Sequence, residues 1–176
     1  MVSTELGTPV AAAPARMKPL PALGLLAGVI VVVAGFIALC GALGNTEFYA
    51  GFLFLLSWSA LEHAKIEKLP NVALGAAFGI ALGLALHSLT TGPLGPSGGI
   101  YFLGIMLPVM YCQIMGWLSL FVNFTAMTFL TVVTIPHIQA HGDFRNTVIA
   151  LVLGIVYFGI IFAAVGWFTT RNRLKA

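Results

Sequence analysis

Six apolar runs, separated by short polar links, occupy residues 22 to 168 of this chain. Most of them approach the length of about 20 helical residues that crosses a hydrocarbon core of about 30 Å. Only 7% of the residues are charged and 60% are hydrophobic, whereas about a quarter of the residues of a soluble domain are charged. The lipid bilayer is therefore the expected environment of the chain. The runs are residues 22–43, 48–61, 71–89, 98–114, 118–135 and 147–168.

The stretch from residue 100 to residue 135 contains no charged side chain. This stretch could form one over-long helix, or two helices joined by a turn at Met115, Gly116 and Trp117. The distribution of charge favours two helices, because basic residues gather on the cytoplasmic side of a membrane. With six spans and a cytoplasmic N-terminus, Arg145 alone of the eight Lys and Arg residues lies outside. We therefore predict an all-α integral membrane protein with six transmembrane helices and both termini in the cytoplasm.

The chain is expected to form one compact domain between two short ends. Residues 1–21 are rich in Pro and Ala and are predicted to be a disordered cytoplasmic tail. Residues 22–170 are predicted to form the six-helix transmembrane domain, and residues 171–176 a basic cytoplasmic C-terminus. The first run is too long for the apolar core of a signal peptide, so it is expected to be retained as a span.

The second and fifth runs differ from the others. A helix over residues 48–61 rises about 21 Å, which is short of the hydrocarbon core, and the run 118–135 carries Asn and Thr side chains. Sliding the chain by 75 residues aligns these two runs and pairs Gly79 with Gly154 and Asn71 with Asn146. A 3+3 inverted repeat with short second and fifth helices is consistent with this alignment, although matches among abundant residues also arise by chance. Interrupted spans at corresponding places in two halves indicate a binding site in transporters.

Polar side chains in the fifth run are the first candidates for a substrate path. Asn123, Thr131 and Thr134 lie near one helical face, where they would replace part of the hydration shell of a small polar solute. In the structural alternative, the threonine hydroxyls bond their own helix and Asn123 clasps a neighbouring helix.

The other path candidates lie near the ends of spans. Glu62 and His63 close the second run, His87 lies near the end of the third, and His137 follows the fifth, four residues before His141. The predicted topology puts the ends of the second and fifth runs on opposite faces, which favours two vestibules of one path over a single catalytic centre. Solvated helix ends are the alternative. No complete metal or catalytic motif is present, so no enzyme activity, metal or other cofactor is predicted.

Three glycines, Gly75, Gly79 and Gly83, lie four residues apart in the third run. Small residues at this spacing let two helices approach closely. The pattern predicts tight helix packing, either within one protomer or between the protomers of a homo-oligomer.

Several motifs resemble those of a family of small bacterial inner-membrane proteins, the domain of unknown function 1097. They are residues 48–54 (Phe-Tyr-Ala-Gly-Phe-Leu-Phe), the glycine-rich third run, residues 119–129 (Ser-Leu-Phe-Val-Asn-Phe-Thr-Ala-Met-Thr-Phe) and residues 153–159 (Leu-Gly-Ile-Val-Tyr-Phe-Gly). The resemblance covers about residues 22–170 and implies a six-helix protein of the bacterial inner membrane. The chain departs from the family at Asn123-Phe124, where members have Pro-Gly, and at Glu62-His63, where they tend to have a glycine-rich turn. The resemblance implies no activity.

These features predict a permease or channel for a small polar solute, with its path between two three-helix halves. The alternative is an accessory or structural subunit of a membrane complex, which the glycine ridges and the scarcity of buried charge favour. The expected partners are the lipid bilayer, a small polar solute and further copies of the chain. Nucleic acid is not expected, because topology accounts for the scattered basic residues.

Overall fold

The computed structural model describes residues 19–173, together with most of their side chains. The described residues are 83% helix and include no strand, which confirms the all-α class. Nearly all of the predicted tail and the last residues of the predicted basic C-terminus lie outside the described part. The helices are α1 (Pro19–Ala42), α2 (Tyr49–Glu62), α3 (Leu69–Thr91), α4 (Gly98–Met115), α5 (Phe124–Val133), α6 (Pro136–His141) and α7 (Phe144–Arg173).

Within the described part of the chain, three helical segments are long and apolar enough to cross a membrane. They are Ile66–Thr91, Gly95–Met115 and Phe144–Trp167, and Leu26–Ala42 and Phe124–Val133 are shorter apolar helices. Large apolar side chains on α4 face outward, with Ile100 74% and Ile114 80% exposed. Such a surface suits lipid better than water, and the helices are those expected of a membrane protein.

The chain divides into two compact units, residues 1–35 and residues 36–176. In the first unit, the described residues form the beginning of α1. The second unit contains the end of α1 and all the later helices, and its core is aromatic. Phe36, Phe54, Phe129, Phe158 and Trp58 are fully buried there.

The charge-free stretch forms two helices, as the charge distribution predicted. Helix α4 ends at Met115, and Gly116 follows with φ of 66°, donating its N–H to the carbonyls of Cys112 and Gln113. This left-handed backbone suits glycine because it has no Cβ. Leu118 also has a positive φ, of 55°, so the chain turns twice before the next helix begins.

The predicted extent of the fifth helix, residues 118–135, is wrong. Helix α5 covers only Phe124–Val133, because the turn after α4 occupies the residues before it. At its other end, Pro136 disfavours helical backbone at Ile135, which is extended with ψ of 129°. The short helix α6 then forms over Pro136–His141.

Helices α3 and α5 run in the same direction and touch along the glycine face of α3. Gly75 lies against the amide of Asn123, at the start of α5. A Cβ atom on Gly79 would come within 2.5 Å of the Ala126 carbonyl oxygen and 2.7 Å of the Phe129 Cβ. Later residues of α3 contact later residues of α5, so the two helices are parallel.

Helices α2 and α7 form a second parallel pair. A Cβ atom on Gly154 would lie 2.7 Å from the Gly51 Cα, and further along both helices the rings of Trp58 and Phe162 are 5.1 Å apart. The two pairs run in opposite directions. A Cβ on Gly159 of α7 would lie 3.3 Å from the Leu69 side chain at the start of α3, and the Phe144 ring at the start of α7 lies 5.3 Å from the His87 ring near the end of α3.

Candidate functional site

Asn123 was predicted to lie within the fifth helix. In the structure it is instead the residue that caps the start of α5. Its Oδ1 accepts the backbone N–H of Ala126 at 3.0 Å, the usual role of an asparagine at this position. Its Nδ2 donates to the backbone carbonyls of Asn71 at 3.0 Å and Leu120 at 3.3 Å. The side chain thus ties the beginning of α5 to the beginning of α3, and its hydrogen-bonding capacity is largely used.

A polar recess opens beside this cap. It has a volume of about 320 Å³. Two of the residues that line it, Glu67 and Lys68, belong to the turn before α3 and are exposed. The lining residues are Glu67, Lys68, Asn71, Ser119 and Leu120.

An equivalent amide lies at the opposite end of the helices, and the sequence analysis missed it. Asn45 is only 4% exposed, and its Nδ2 donates to the Asn146 carbonyl at 2.8 Å. Its Oδ1 accepts the backbone N–H of Glu47 at 2.8 Å. Nearby, the hydroxyls of Tyr49 and Thr147 are 3.2 Å apart. An Asn just before an apolar run is a helix-start signal, but its partner is 101 residues away.

The threonines of the predicted path bond to their own helix. Thr131 donates to the Met127 carbonyl at 2.8 Å and Thr134 to the Thr131 carbonyl at 3.0 Å. Thr131 is exposed, and Thr134 follows the last residue of α5. The structure therefore does not bring Asn123, Thr131 and Thr134 together, since Asn123 lies at the other end of the helix.

Glu62 and His63 lie at the end of the molecule that also holds the Asn123 cap. Glu62 is the last residue of α2, and exposed His63 follows in left-handed backbone with φ of 49°. The turn is held by the buried indole of Trp58, whose Nε1 donates to the Lys65 carbonyl at 2.9 Å.

The remaining histidines lie at the Asn45 end, near the start of α7. The His87 ring packs 5.3 Å from the ring of Phe144, and its Nδ1 is buried without a hydrogen-bond partner. The exposed rings of His137 and His141 lie 5.0 Å apart on α6. Among the described residues, no three His, Cys, Asp or Glu side chains are placed to hold a metal ion together.

Comparison with known proteins adds nothing to this geometry. No protein family, curated protein or solved structure matches the chain.

Closely packed apolar residues separate the two polar ends. Ala126 and Phe129 of α5 are fully buried against the glycine face of α3, and Phe54 of α2 and Phe158 of α7 are fully buried as well. A shallow groove of about 470 Å³ runs along the outer side of α2 and reaches Val132 of α5. Its lining is almost entirely apolar, as expected for a surface that contacts acyl chains.

Proposed function

We propose that this chain is a six-span protein of the bacterial inner membrane, built from two inverted three-helix halves that form a permease or channel for a small polar solute. The described conformation would be its closed state. The observation that carries the proposal is an exchange of contacts: Gly79 of α3 lies against Ala126 of α5, and Gly154 of α7 lies against Gly51 of α2. The offset of 75 residues relates Gly79 to Gly154 and Gly51 to Ala126, so each half contributes one residue to each contact.

Further residues related by the offset occupy similar positions. The offset relates Asn71 to Asn146, and the backbone carbonyl of each accepts an asparagine amide. The donors, Asn123 and Asn45, are 78 residues apart, so the offset relates the two acceptors and not the two donors. It also relates Phe54 to Phe129, both fully buried. The exchange of the glycine contacts supports the proposed repeat, and so do the opposite directions of the two helix pairs, which an inverted repeat requires.

Charge supports the proposed orientation. Because α2 and α7 are parallel, Lys65 and Lys68 after α2 lie at the same end of the molecule as Arg171 near the end of α7. Arg145 lies at the opposite end, beside the start of α7. The excess of basic residues after α2 and α7 would mark the cytoplasmic face.

The transport hypothesis rests on the position of the polar groups relative to this repeat. Inverted-repeat transporters bind solutes between their halves, close to short or broken helices. Here α2 and α5 are the short helices, with asparagine-containing sites at both ends and packed glycine and phenylalanine residues between them. Solute passage would require α5 to separate from α3, or α2 from α7, at the glycine contacts.

An accessory membrane subunit is the second candidate, and the packed centre favours it. A protein without transport activity needs no path through its core, and the outward apolar face of α4 would contact lipid, another subunit or a second copy of the chain. Gentle solubilisation that recovers a stable heteromeric partner would support this candidate.

Flux through purified protein distinguishes the two candidates. Proteoliposomes containing the wild-type chain are compared with empty vesicles for uptake of small solutes, including urea, glycerol, ammonium and small amino acids. We expect uptake of at least one solute above the empty-vesicle rate. Rates equal to those of empty vesicles for every solute, in both directions and under an imposed ion gradient, contradict the permease hypothesis.

A further inference from the structure

Two polar atoms near the end of α3 are buried without any hydrogen-bond partner: His87 Nδ1 and Gln139 Oε1. A buried polar atom that has lost water and gained no partner lowers stability. Such atoms are uncommon in folded proteins and often indicate a bound water or ligand.

The two side chains lie at the same corner of the molecule. Gln139 Nε2 donates to the Gly83 carbonyl at 3.2 Å, and this carbonyl points along α3 toward His87, one helical turn further on the same face. Phe144 borders both positions: its ring packs against His87 at 5.3 Å, and its Cε1 lies 3.9 Å from the position of a Cβ on Gly83.

The hydrogen bonds fix the chemistry of this corner. Gln139 Nε2 also donates to the Val133 carbonyl, at 2.8 Å, so both amide hydrogens are directed at carbonyl oxygens. The amide orientation is thereby determined, and Gln139 Oε1 remains as an acceptor that needs a donor. His87 Nδ1 is a second acceptor when the ring proton is on Nε2.

The surroundings favour a donor that carries positive charge. Phe144 borders this corner, and the electron-rich face of an aromatic ring attracts cations. Glu47 and Asp143 lie at the same end of the helices, where Glu47 accepts the backbone N–H of Asp143 at 3.4 Å. Arg145 is the one basic residue that the described part of the chain places there, so carboxylates outnumber guanidinium groups among the described residues of this region.

We propose that His87 and Gln139 form a binding site for a small ammonium-type cation, which donates N–H hydrogen bonds to His87 Nδ1 and Gln139 Oε1 beside Phe144. This inference deepens the proposed permease function, on which it rests for a place in a transport path, because it names the class of solute. Water offers the same hydrogen-bond donors without the charge and is the rival occupant.

Binding is tested with ammonium chloride as the probe and sodium chloride at equal ionic strength as the reference. The melting temperature of the detergent-solubilised full chain is measured for wild type, His87→Phe, His87→Asn and His141→Phe. His87→Phe keeps an aromatic ring against Phe144 but has no ring nitrogen, and His87→Asn restores a polar amide near the position of Nδ1. His141→Phe is the matched control, because His141 is an exposed histidine on the neighbouring helix.

We expect ammonium to raise the melting temperature of wild type and of His141→Phe, since a ligand of the folded state stabilises it. His87→Phe should need about ten-fold more ammonium for the same rise, the equivalent of one hydrogen bond, and His87→Asn should recover part of the loss. Equal melting curves in the two salts for wild type, or an unchanged ammonium response in His87→Phe, would overturn the site. The wild-type comparison decides even if His87→Phe fails to fold.

Ammonium uptake by proteoliposomes separates this inference from the proposed function. A specific ammonium response in melting, without uptake of any solute, retains the site and rejects the permease. Uptake of other solutes, without an ammonium response in melting, retains the permease and rejects the site.

Discussion

The backbone contact between α3 and α5 at Gly79 predicts a specific loss of stability on adding one methyl group. In Gly79→Ala the new Cβ would lie 2.5 Å from the Ala126 carbonyl oxygen, 2.7 Å from the Phe129 Cβ and 3.1 Å from the Leu130 nitrogen. Two of these three atoms belong to the backbone, which cannot rotate away as the end of a side chain can. The helices must therefore separate by roughly 0.5–1 Å to restore ordinary contact distances near 3.5 Å.

The magnitude follows from two opposing effects. Overpacking of a close-packed core costs about 1–3 kcal/mol, and replacing a helical glycine by alanine returns about 1 kcal/mol of helix propensity. We expect Gly79→Ala to lower the free energy of unfolding by up to about 2 kcal/mol. Gly104→Ala on α4 is the matched control, since a Cβ there meets nothing within 4 Å, and it should be neutral or stabilising by up to about 1 kcal/mol.

Thermal melting in one detergent compares the two variants directly. At about 2–4 °C per kcal/mol for a chain of this size, Gly79→Ala should melt several degrees below Gly104→Ala. Equal melting temperatures would refute the inference that backbone contact at Gly79 holds α3 against α5.

Two further predictions concern the amide cap and the orientation. Asn123→Leu leaves the start of α5 uncapped and the Asn71 carbonyl without its donor, so a melting assay should show a loss of about 1–3 kcal/mol in the free energy of unfolding. The control Thr131→Val loses only an exposed hydrogen bond within one helix and should stay within about 0.5 kcal/mol of wild type. Equal losses in the two variants would contradict the inference that Asn123 holds α5 to α3. Cysteines introduced at Lys68 and Arg145, in a chain lacking Cys40 and Cys112, should react with a membrane-impermeant maleimide from opposite sides, the Lys68 position from the cytoplasm; labelling of both from one side would exclude the proposed topology.

The sequence predicted best those features that depend on local pattern. Apolar runs located α2, α3 and α4 to within two residues at each end. The turn after Met115 was also predicted, from the distribution of Lys and Arg residues, although residues 100 to 135 carry no charge. The extent of α5 was missed because an Asn at a helix start and an Asn within a polar helix face look alike in a single sequence. The backbone turn at Leu118 decides between them, and Leu is not a residue that signals positive φ.

The two polar features that the sequence could not reveal depend on distant partners. Asn45 acquires its role from the carbonyl of Asn146, 101 residues away, and Gln139 from the carbonyl of Gly83, 56 residues away. Neither belongs to a recognisable motif. The 75-residue offset was visible in the sequence, but only the spatial contacts of Gly79 and Gly154 give the offset a physical meaning.

A reversible cross-link between α3 and α5 tests most directly whether solute passes between the halves. A Cβ on Gly83 would lie 3.0 Å from the Val133 Cβ, and the two Cβ atoms of a disulfide are about 3.8 Å apart. A small shift of α5 would therefore allow a disulfide between Gly83→Cys and Val133→Cys. Both substitutions are made in a chain lacking Cys40 and Cys112. Uptake by proteoliposomes is measured before oxidation, after oxidation and after reduction, with each single cysteine as a control. We predict that oxidation stops uptake in the double variant and that reduction restores it. Undiminished uptake with the cross-link fully formed would contradict a path that opens by separating α5 from α3.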